Sequence, residues 1–581
     1  MNSKFKSLWQ FGAILNRRLT ERAKMSEHSI MIGIALIIGV LAGFGAVGIR
    51  ALIHYVSDFN FVGEGNLLER ISATPWYFKL FIPMMGGVLV GPLIYFFAPE
   101  AKGHGVPEVM QSVLTKGGII RPRVALVKAL ASSITIGTGG SVGREGPIIQ
   151  IGASLGSTVG QFFHISSHRI KTLVGCGAAA GIAAAFNAPI AGALFAVEII
   201  LMDFAVAQFS PIVISSVMAT VISHHFEGNF AAFQVPHYEL VNPLELFFYV
   251  ILGVLAGVVS FLFIKVLYGF EDFFDNKVKL PQYVQPAFGG LVIGAIAIIF
   301  PQVMGIGYES INLALQGQIA MGIAFILIFV KILATSVTLG SGGSGGIFAP
   351  SLFMGAMLGA FFGQLIGAYA PMDTATAGAY ALVAMGGLVA GTTRAPITAI
   401  IIVFELTNDY NIILPLMITC ILSTIISARL QRESIYTLKL LQRGINLKEG
   451  AETNLMKSIF VRSIYKENVT LIPETLSFRE IVERLTGSAD LYLVVENTEG
   501  EVTGIISMHD IKNFLFDSEE LQDIVIAKDV AHKNFGLVTP DSNCQEVMDK
   551  LSNTNLSGLP VVQKEGSKAV IGVVWHKDIL H

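Results

Sequence analysis

Charge is scarce in this 581-residue sequence: Asp, Glu, Lys and Arg make up 14% of it, against about 25% in soluble chains. With 53% hydrophobic residues and a mean hydropathy of +0.64, a single water-soluble globule is excluded. Cysteine is scarce as well. Cys176, Cys420 and Cys544 lie too far apart for a thiolate metal site, and two of them sit in apolar segments, so no disulfide framework is implied. The 60 glycines show no three-residue period, which excludes collagen, and the apolar content excludes disorder. What remains is a polytopic membrane protein.

The few charges are unevenly placed. Of 39 Lys/Arg and 42 Asp/Glu in the chain, 12 and 20 fall in residues 451–581, leaving 27 and 22 in the first 450. The two parts therefore face different solvents. No nucleic-acid partner is indicated, because the basic clusters flank hydrophobic spans rather than aromatic platforms. Lys4, Lys6, Arg17, Arg18, Arg22 and Lys24 precede the first apolar run, Ser29 to His54, which is too long for the core of a signal peptide. Arg429, Arg432, Lys439, Arg443 and Lys448 follow the last one. Both ends are thus expected in the cytoplasm, with an even number of crossings.

Between those ends lie apolar stretches at Tyr77 to Ala98, Leu173 to Met202, Leu244 to Phe263, Met321 to Val337 and Ile412 to Ala428. Some fall short of the roughly 20 residues that cross a bilayer, and others are broken by Gly or Pro. Helices that stop inside the membrane are tolerated only where they are buried in protein or line a polar cavity, and so mark a transport site.

An internal repeat sharpens this. Gly137 to Gln161 aligns without gaps on Gly340 to Gln364, with 12 of 25 positions identical at an offset of 203. Ala188-Pro189-Ile190 with Glu198 matches Ala395-Pro396-Ile397 with Glu405 at an offset of 207. Glycines at 152, 156 and 160, and again at 355, 359 and 363, recur every four residues on one helix face and suit close helix packing. The glycine-rich entries Gly139 to Gly146 and Gly342 to Gly346 each lead into an apolar helix with a first-turn proline, Pro147 or Pro350. Free amides at such helix starts carry partial positive charge and suit an anion that must also be able to leave.

These residues resemble the CLC family of chloride channels and chloride/proton antiporters. The resemblance rests on Gly103-His104-Gly105-Val106-Pro107-Glu108, Gly143-Arg144-Glu145-Gly146-Pro147 and Gly346-Ile347-Phe348-Ala349-Pro350, in the family's order, with Tyr436 beyond the last span. It covers roughly residues 30–440. It implies an all-α polytopic membrane domain of two inverted helical repeats with broken helices, built as a homodimer in the lipid bilayer of the cell (inner) membrane. Chloride or a similar small anion is the implied cargo, with voltage-gated channel-like conduction and no required cofactor; proton-coupled exchange is the alternative. By the same resemblance Glu145 is the gating carboxylate, and His104, Gly105, Arg144, Gly146, Ile347, Phe348 and Tyr436 bind the anion. Lys128 matches a buried lysine of the family.

Two departures stand out. His104 occupies a place where chloride-selective members usually carry Ser, and an imidazole makes anion binding pH-sensitive. Within Ala196-Val197-Glu198-Ile199-Ile200, antiporters often carry a second glutamate as internal proton acceptor, and here that place is Ile199. Isoleucine cannot carry a proton.

The tail repeats itself too: Leu491 to Ile511 echoes Gly558 to Ile579, with Asp510 and Asp578 each after a β-rich run. This resembles a cytoplasmic α/β pair of CBS domains, whose Ser/Thr-x-x-Asp turns can hold the ribose of an adenine nucleotide. Ser507 and Asp510 fit that turn, whereas Trp575 stands where Asp578 would need a hydroxyl partner. The expected organisation is a cytoplasmic segment 1–29, a membrane domain 30–440, a linker 441–454, and CBS domains 455–520 and 521–581. Two rivals are weaker. Gly342-Gly343-Ser344-Gly345 satisfies the G-x-S-G of an intramembrane serine protease, but no histidine lies between Ser344 and His509 to serve as base. A CBS-gated cation transporter would need acidic residues along its path, where the broken helices present amides.

His104→Ser should shift the anion preference or flatten a flux response near the ordinary imidazole pKa of about 6.5. Identical selectivity and pH response, measured as anion efflux from liposomes, would return His104 to a purely structural role.

Overall fold

The computed structural model describes residues 27–446 and 456–580, apart from 205, 229–232, 234–240, 371, 457–458, 468, 488–491, 508–510, 512–523, 534, 555, 557, 565 and 568. Two units separate at Gly444/Ile445. The basic N-terminal cluster and Asp510 lie outside the described residues.

In the membrane unit the first apolar run extends into α1 (Glu27–Asn60), followed by α2 (Leu67–Ala73), α3 (Trp76–Phe97), α4 (Val106–Thr115), α5 (Arg123–Gly137), α6 (Glu145–Phe162) and α7 (Ser167–Phe186). Next come α8 (Pro189–Phe195), which widens into a π turn over Ala196–Leu201, and α9 (Val206–Glu227). The second half repeats the pattern with α10 (Leu246–Asn276), α11 (Gln285–Ile299), α12 (Tyr308–Leu315), α13 (Met321–Gly340), α14 (Phe348–Tyr369), α15 (Ala377–Thr393), α16 (Pro396–Thr407) and α17 (Ile413–Leu430), and α18 (Thr437–Gln442) closes the unit. Among the described residues, eight helices are long and apolar enough to cross a membrane.

Leu173 to Met202 is not one span but two helices. The chain reverses at Asn187, the left-handed residue (φ 60°) that ends α7, and Arg394 (φ 59°) does the same after α15. In both places an Ala-Pro pair then starts a short helix, since proline at the first turn gives up only an amide that has no intrahelical partner. Pro189–Leu201 covers 13 residues, and Pro396–Thr407 covers 12. At 1.5 Å per residue each reaches about 20 Å, short of a ~30 Å hydrocarbon layer.

Their starts need acceptors, and each half supplies the other's. Glu405 on α16 accepts from the Ile190 and Ala191 amides of α8 at 3.0 and 2.7 Å. Glu198 accepts from the Ile397 and Thr398 amides of α16 at 3.3 and 2.8 Å, and from the Thr398 hydroxyl at 2.6 Å. A carboxylate at a helix start is stabilising because it meets both the orphan amides and the positive end of the dipole, worth up to about 2 kcal/mol when partly buried. Both oxygens of Glu198 are committed to this task.

The glycine stripes bring backbones into contact. A Cβ on Gly152 of α6 would lie 2.1 Å from the Gly177 carbonyl oxygen of α7, and one on Gly359 of α14 would lie 2.2 Å from the Tyr380 carbonyl oxygen of α15.

In the tail unit, β1 (Leu471–Pro473) runs parallel to β2 (Tyr492–Glu496), which pairs antiparallel with β3 (Val502–Ser507). A second sheet joins β4 (Gly558–Val562) and β5 (Val570–Trp575) antiparallel. Helices α19 (Phe478–Gly487), α20 (Ala527–Val530), α21 (Cys544–Thr554) and α22 (His576–Leu580) complete the unit. Residues exchange across it: the Lys466 backbone bridges to Val573, while Ile505 bridges to His532. This is the small α/β pair expected from the sequence.

Gly152→Ala should destabilise the membrane unit by about 1–3 kcal/mol, because a backbone carbonyl cannot move out of the way as a side chain can. Thermal unfolding in detergent measures it. Gly48→Ala on α1, where a Cβ meets nothing within 4 Å, is the control expected to be neutral.

Candidate functional site

Three glycine-rich loops meet at the starts of α4, α6 and α14. The Gly143 amide donates to the Gly346 carbonyl at 2.7 Å, and the Gly346 amide returns a bond to the Gly143 carbonyl at 2.6 Å. The entries of α6 and α14 are thus bonded directly to each other. The third loop joins through the Gly103 amide to the Gly343 carbonyl (3.2 Å) and the Gly345 amide to the Gly103 carbonyl (3.3 Å). Gly105 (φ 84°) turns this loop into α4 in a left-handed conformation that glycine adopts freely. A Cβ on Gly146 would sit 2.4 Å from the His104 carbonyl oxygen and 2.9 Å from the Gly346 Cα, so the crossing point admits only glycine.

Two lysines buried to zero exposure brace this arrangement. Lys128 donates to the carbonyls of Ala101 (3.0 Å) and Gly103 (2.7 Å), and Lys331 to those of Val303 (3.1 Å) and Gly305 (3.2 Å). The two are 203 positions apart, and Gly305-Ile306-Gly307 stands to Lys331 as Gly103-His104-Gly105 stands to Lys128. Sequence reasoning missed the second lysine and its loop. The offset of 203 finds Lys331, and an offset of 202 finds its loop.

Glu145, the first residue of α6, is fully buried. Its Oε1 accepts a hydrogen bond from the Tyr308 hydroxyl at 2.7 Å, and its Oε2 has no hydrogen-bond partner among the described residues. That free oxygen lies beside the helix starts: a Cβ built on Gly143 would come within 2.3 Å of it and within 3.2 Å of the Ala349 amide nitrogen. Arg144 makes no ion pair with Glu145 among the described residues. Its guanidinium instead lies over the Tyr308 ring, 5.2 Å from the centroid.

Ile347 and Phe348 are each 1% exposed at the start of α14, and the Phe348 ring packs on Phe186 at 5.2 Å. Tyr436 is equally buried, and its ring lies 5.8 Å from that of His104. Both ring nitrogens of His104 are buried without a partner among the described residues. The sequence-predicted set therefore falls in one place, with Arg144 turned to one side of it.

Two cavities adjoin this place. A cavity of about 510 Å³ is lined by His104, Gly105, Glu108, Glu271, Lys439 and Arg443. Arg443 forks onto Glu108, with one bond at 2.6 Å, and this partner raises its affinity for the proton above the ordinary guanidinium range. A second cavity of about 380 Å³ is lined by His54, Arg70, Arg144, Gly307, Tyr308 and Glu309. His104 faces one and Tyr308 the other, with Glu145 between.

Ser344 is fully buried, and its hydroxyl is engaged by the Ala101 carbonyl and the Ser132 hydroxyl, both at 2.9 Å. Neither partner is a base, so nothing here supports a protease.

In the tail unit, Ser507 ends β3 opposite Tyr492. Trp575 ends β5, where its ring stacks 5.0 Å from Tyr492 and crowds Gly558, and the Asp578 carboxylate is paired with Lys466 at 3.0 Å. In that second turn Trp575 stands in place of a hydroxyl residue, three positions before Asp578.

Known proteins place this architecture. The sequence profile described as Voltage gated chloride channel matches residues 86–428, and that of the CBS domain matches residues 461–517 and 527–581. The chain belongs to the voltage-gated chloride channel (CLC) family and carries a C-terminal CBS pair. It is 33% identical over 410 residues to a putative chloride channel protein ClcB-like of Ralstonia nicotianae, covering 70% of this chain and 95% of the relative. It is 34% identical over 432 residues to the H(+)/Cl(-) exchange transporter ClcA of Vibrio parahaemolyticus, covering 72% and 91%. A crystal structure of a slow cyanobacterial Cl-/H+ antiporter superposes with a TM-score of 0.64 at 27% identity, covering 72% of this chain and 98% of that one. These relatives are channels and exchangers rather than enzymes, and the protein is an integral, multi-pass membrane protein.

Proposed function

We propose that the protein moves chloride or a similar small anion across the membrane between the two cavities, through a path that the Glu145 carboxylate closes. The observation that carries this reading is the position of Glu145 Oε2, beside the bonded starts of α6 and α14. An anion held by helix-start amides and a carboxylate held there compete for one place. A protonated side chain loses that competition and frees the path. On this reading Ile347 and Phe348 present amides to the anion, Tyr436 and His104 flank the end toward the 510 Å³ cavity, and Gly105 and Gly146 let the loops approach. Arg144 contributes positive potential from the side of Tyr308.

The membrane unit works as a homodimer with a path in each subunit, both termini face the cytoplasm, and the host bilayer is the cell membrane. The tail serves as a regulatory module with at most one adenine-nucleotide half-site, at Ser507 and Asp510, since Trp575 replaces the hydroxyl residue before Asp578.

Anion movement is proposed to be uncoupled or weakly coupled to protons. Ile199 is buried and carries no titratable group, and both oxygens of Glu198 are occupied by the start of α16. Proton-coupled exchange, the activity named for the ClcA relatives, is the second reading.

Glu145→Gln should keep anion flux high and remove most of its pH dependence, measured as chloride efflux from liposomes. An unchanged pH profile, or a folded but inactive variant, counts against the gate.

Coupling is tested separately by imposing a chloride gradient on sealed proteoliposomes and following internal pH. The expected result is little or no proton uptake against the proton gradient. Robust uphill proton movement would overturn the uncoupled reading.

A further inference from the structure

Glu145 sits in a gap between two repeats whose corresponding positions are not alike, and the difference is chemical. At the offset of 203, Glu145 corresponds to Phe348; at the offset of 202 set by the two Gly-x-Gly loops, Tyr308 corresponds to Val106. The symmetric pair is hydrocarbon on hydrocarbon. Only the Glu145 side of the pseudo-twofold has a hydroxyl opposite a carboxylate, and the two are joined at 2.7 Å.

That hydroxyl is held firmly. Tyr308 is the first residue of α12, entered through Gly307 in a left-handed turn (φ 88°). The preceding loop is fixed by Lys331, whose ammonium binds the Val303 and Gly305 carbonyls. The ring itself is clamped between the Arg144 guanidinium at 5.2 Å and the Phe233 ring at 4.9 Å. A side chain so restrained delivers its O–H to one point in space, and that point is Glu145 Oε1.

The geometry points to Tyr308 as a positioning residue that latches the ionised Glu145 side chain in the anion path. This rests on the reading of Glu145 as the gate. A phenol donates a stronger hydrogen bond to a carboxylate than to a carboxylic acid, so the latch favours the closed, ionised state and lets go when the carboxylate takes a proton. It bars the path on the side of the 380 Å³ cavity, which Tyr308 lines, while the free Oε2 faces the helix starts. The other ionisable groups that surround the pair are Arg144 just before α6, Arg50 and His54 on α1, Glu309 on α12 and Tyr436 before α18. Arg50 is already engaged by Glu227. None of these is altered in the test.

The experiment measures anion flux against pH for the full-length protein in liposomes, comparing parent, Tyr308→Phe, Glu145→Gln and the double variant. Tyr308→Phe keeps the ring and removes the donor, so flux should rise at a higher pH, with the midpoint moved up by about one unit or more, the size expected when a carboxylate loses one hydrogen bond. In the Glu145→Gln background the same substitution should change nothing. A midpoint that stays put or moves to lower pH overturns the latch, as does a shift that survives in the double variant. A Glu145→Gln variant that keeps the parent's pH profile removes the gate itself, a separate outcome. If Tyr308→Phe fails to fold, 3-fluorotyrosine incorporated at 308 retains the ring and strengthens the donor. The midpoint should then move to lower pH, and no movement overturns the proposal.

Discussion

A helix that ends inside a hydrocarbon layer leaves amides with no water to bond, and the whole membrane unit depends on how those ends are met. The pair of bonds between Gly143 and Gly346 is the central answer: two broken helices use each other's loops to satisfy the backbone at their entry. Once those loops are paired, the first-turn amides of α6 and α14 have nothing covalent to turn to. On the proposed reading they are met by something mobile, an anion from solution or the Glu145 carboxylate. On that reading, the same constraint that makes broken helices costly favours negative charge at their starts.

The buried lysines belong to this logic. A loop that spends its amides on a neighbouring loop leaves carbonyls behind, and Lys128 and Lys331 collect those of Ala101, Gly103, Val303 and Gly305. Each side-chain nitrogen is held by backbone carbonyls, and neither lysine forms an ion pair with a carboxylate among the described residues. An aspartate in either place would bind the same loop poorly, because a carboxylate cannot donate to a carbonyl.

Much of this was legible in the sequence because it follows from backbone chemistry. The glycine-rich entries at 139–146 and 342–346 announced helix starts with free amides, the stripes at 152 and 156 announced touching helices, and the repeat announced two halves of one unit. The reversal at Asn187 was hidden, since Leu173 to Met202 is apolar on both limbs and hydropathy does not register direction. Tyr308 was hidden for a different reason: the loop Gly305-Ile306-Gly307 keeps only two glycines of its counterpart, and the residue that meets Glu145 is one that departs from the repeat. The capping role of Glu198 is recognisable only by its partner, because the amides it holds belong to a helix 199 residues later.

The exchanged caps carry a consequence for biosynthesis. Glu405 holds the start of α8 across 215 residues of chain, and a ribosome adding about 5–20 residues per second needs on the order of 10–40 s to make that stretch. Throughout that interval the first half sits in the membrane with a short helix whose leading amides have no protein acceptor. The first half is therefore not a domain that folds and waits. Its last helix can lock only when its counterpart has been threaded into the bilayer beside it, so a truncation after the first repeat should behave as an unfinished object rather than as half a transporter.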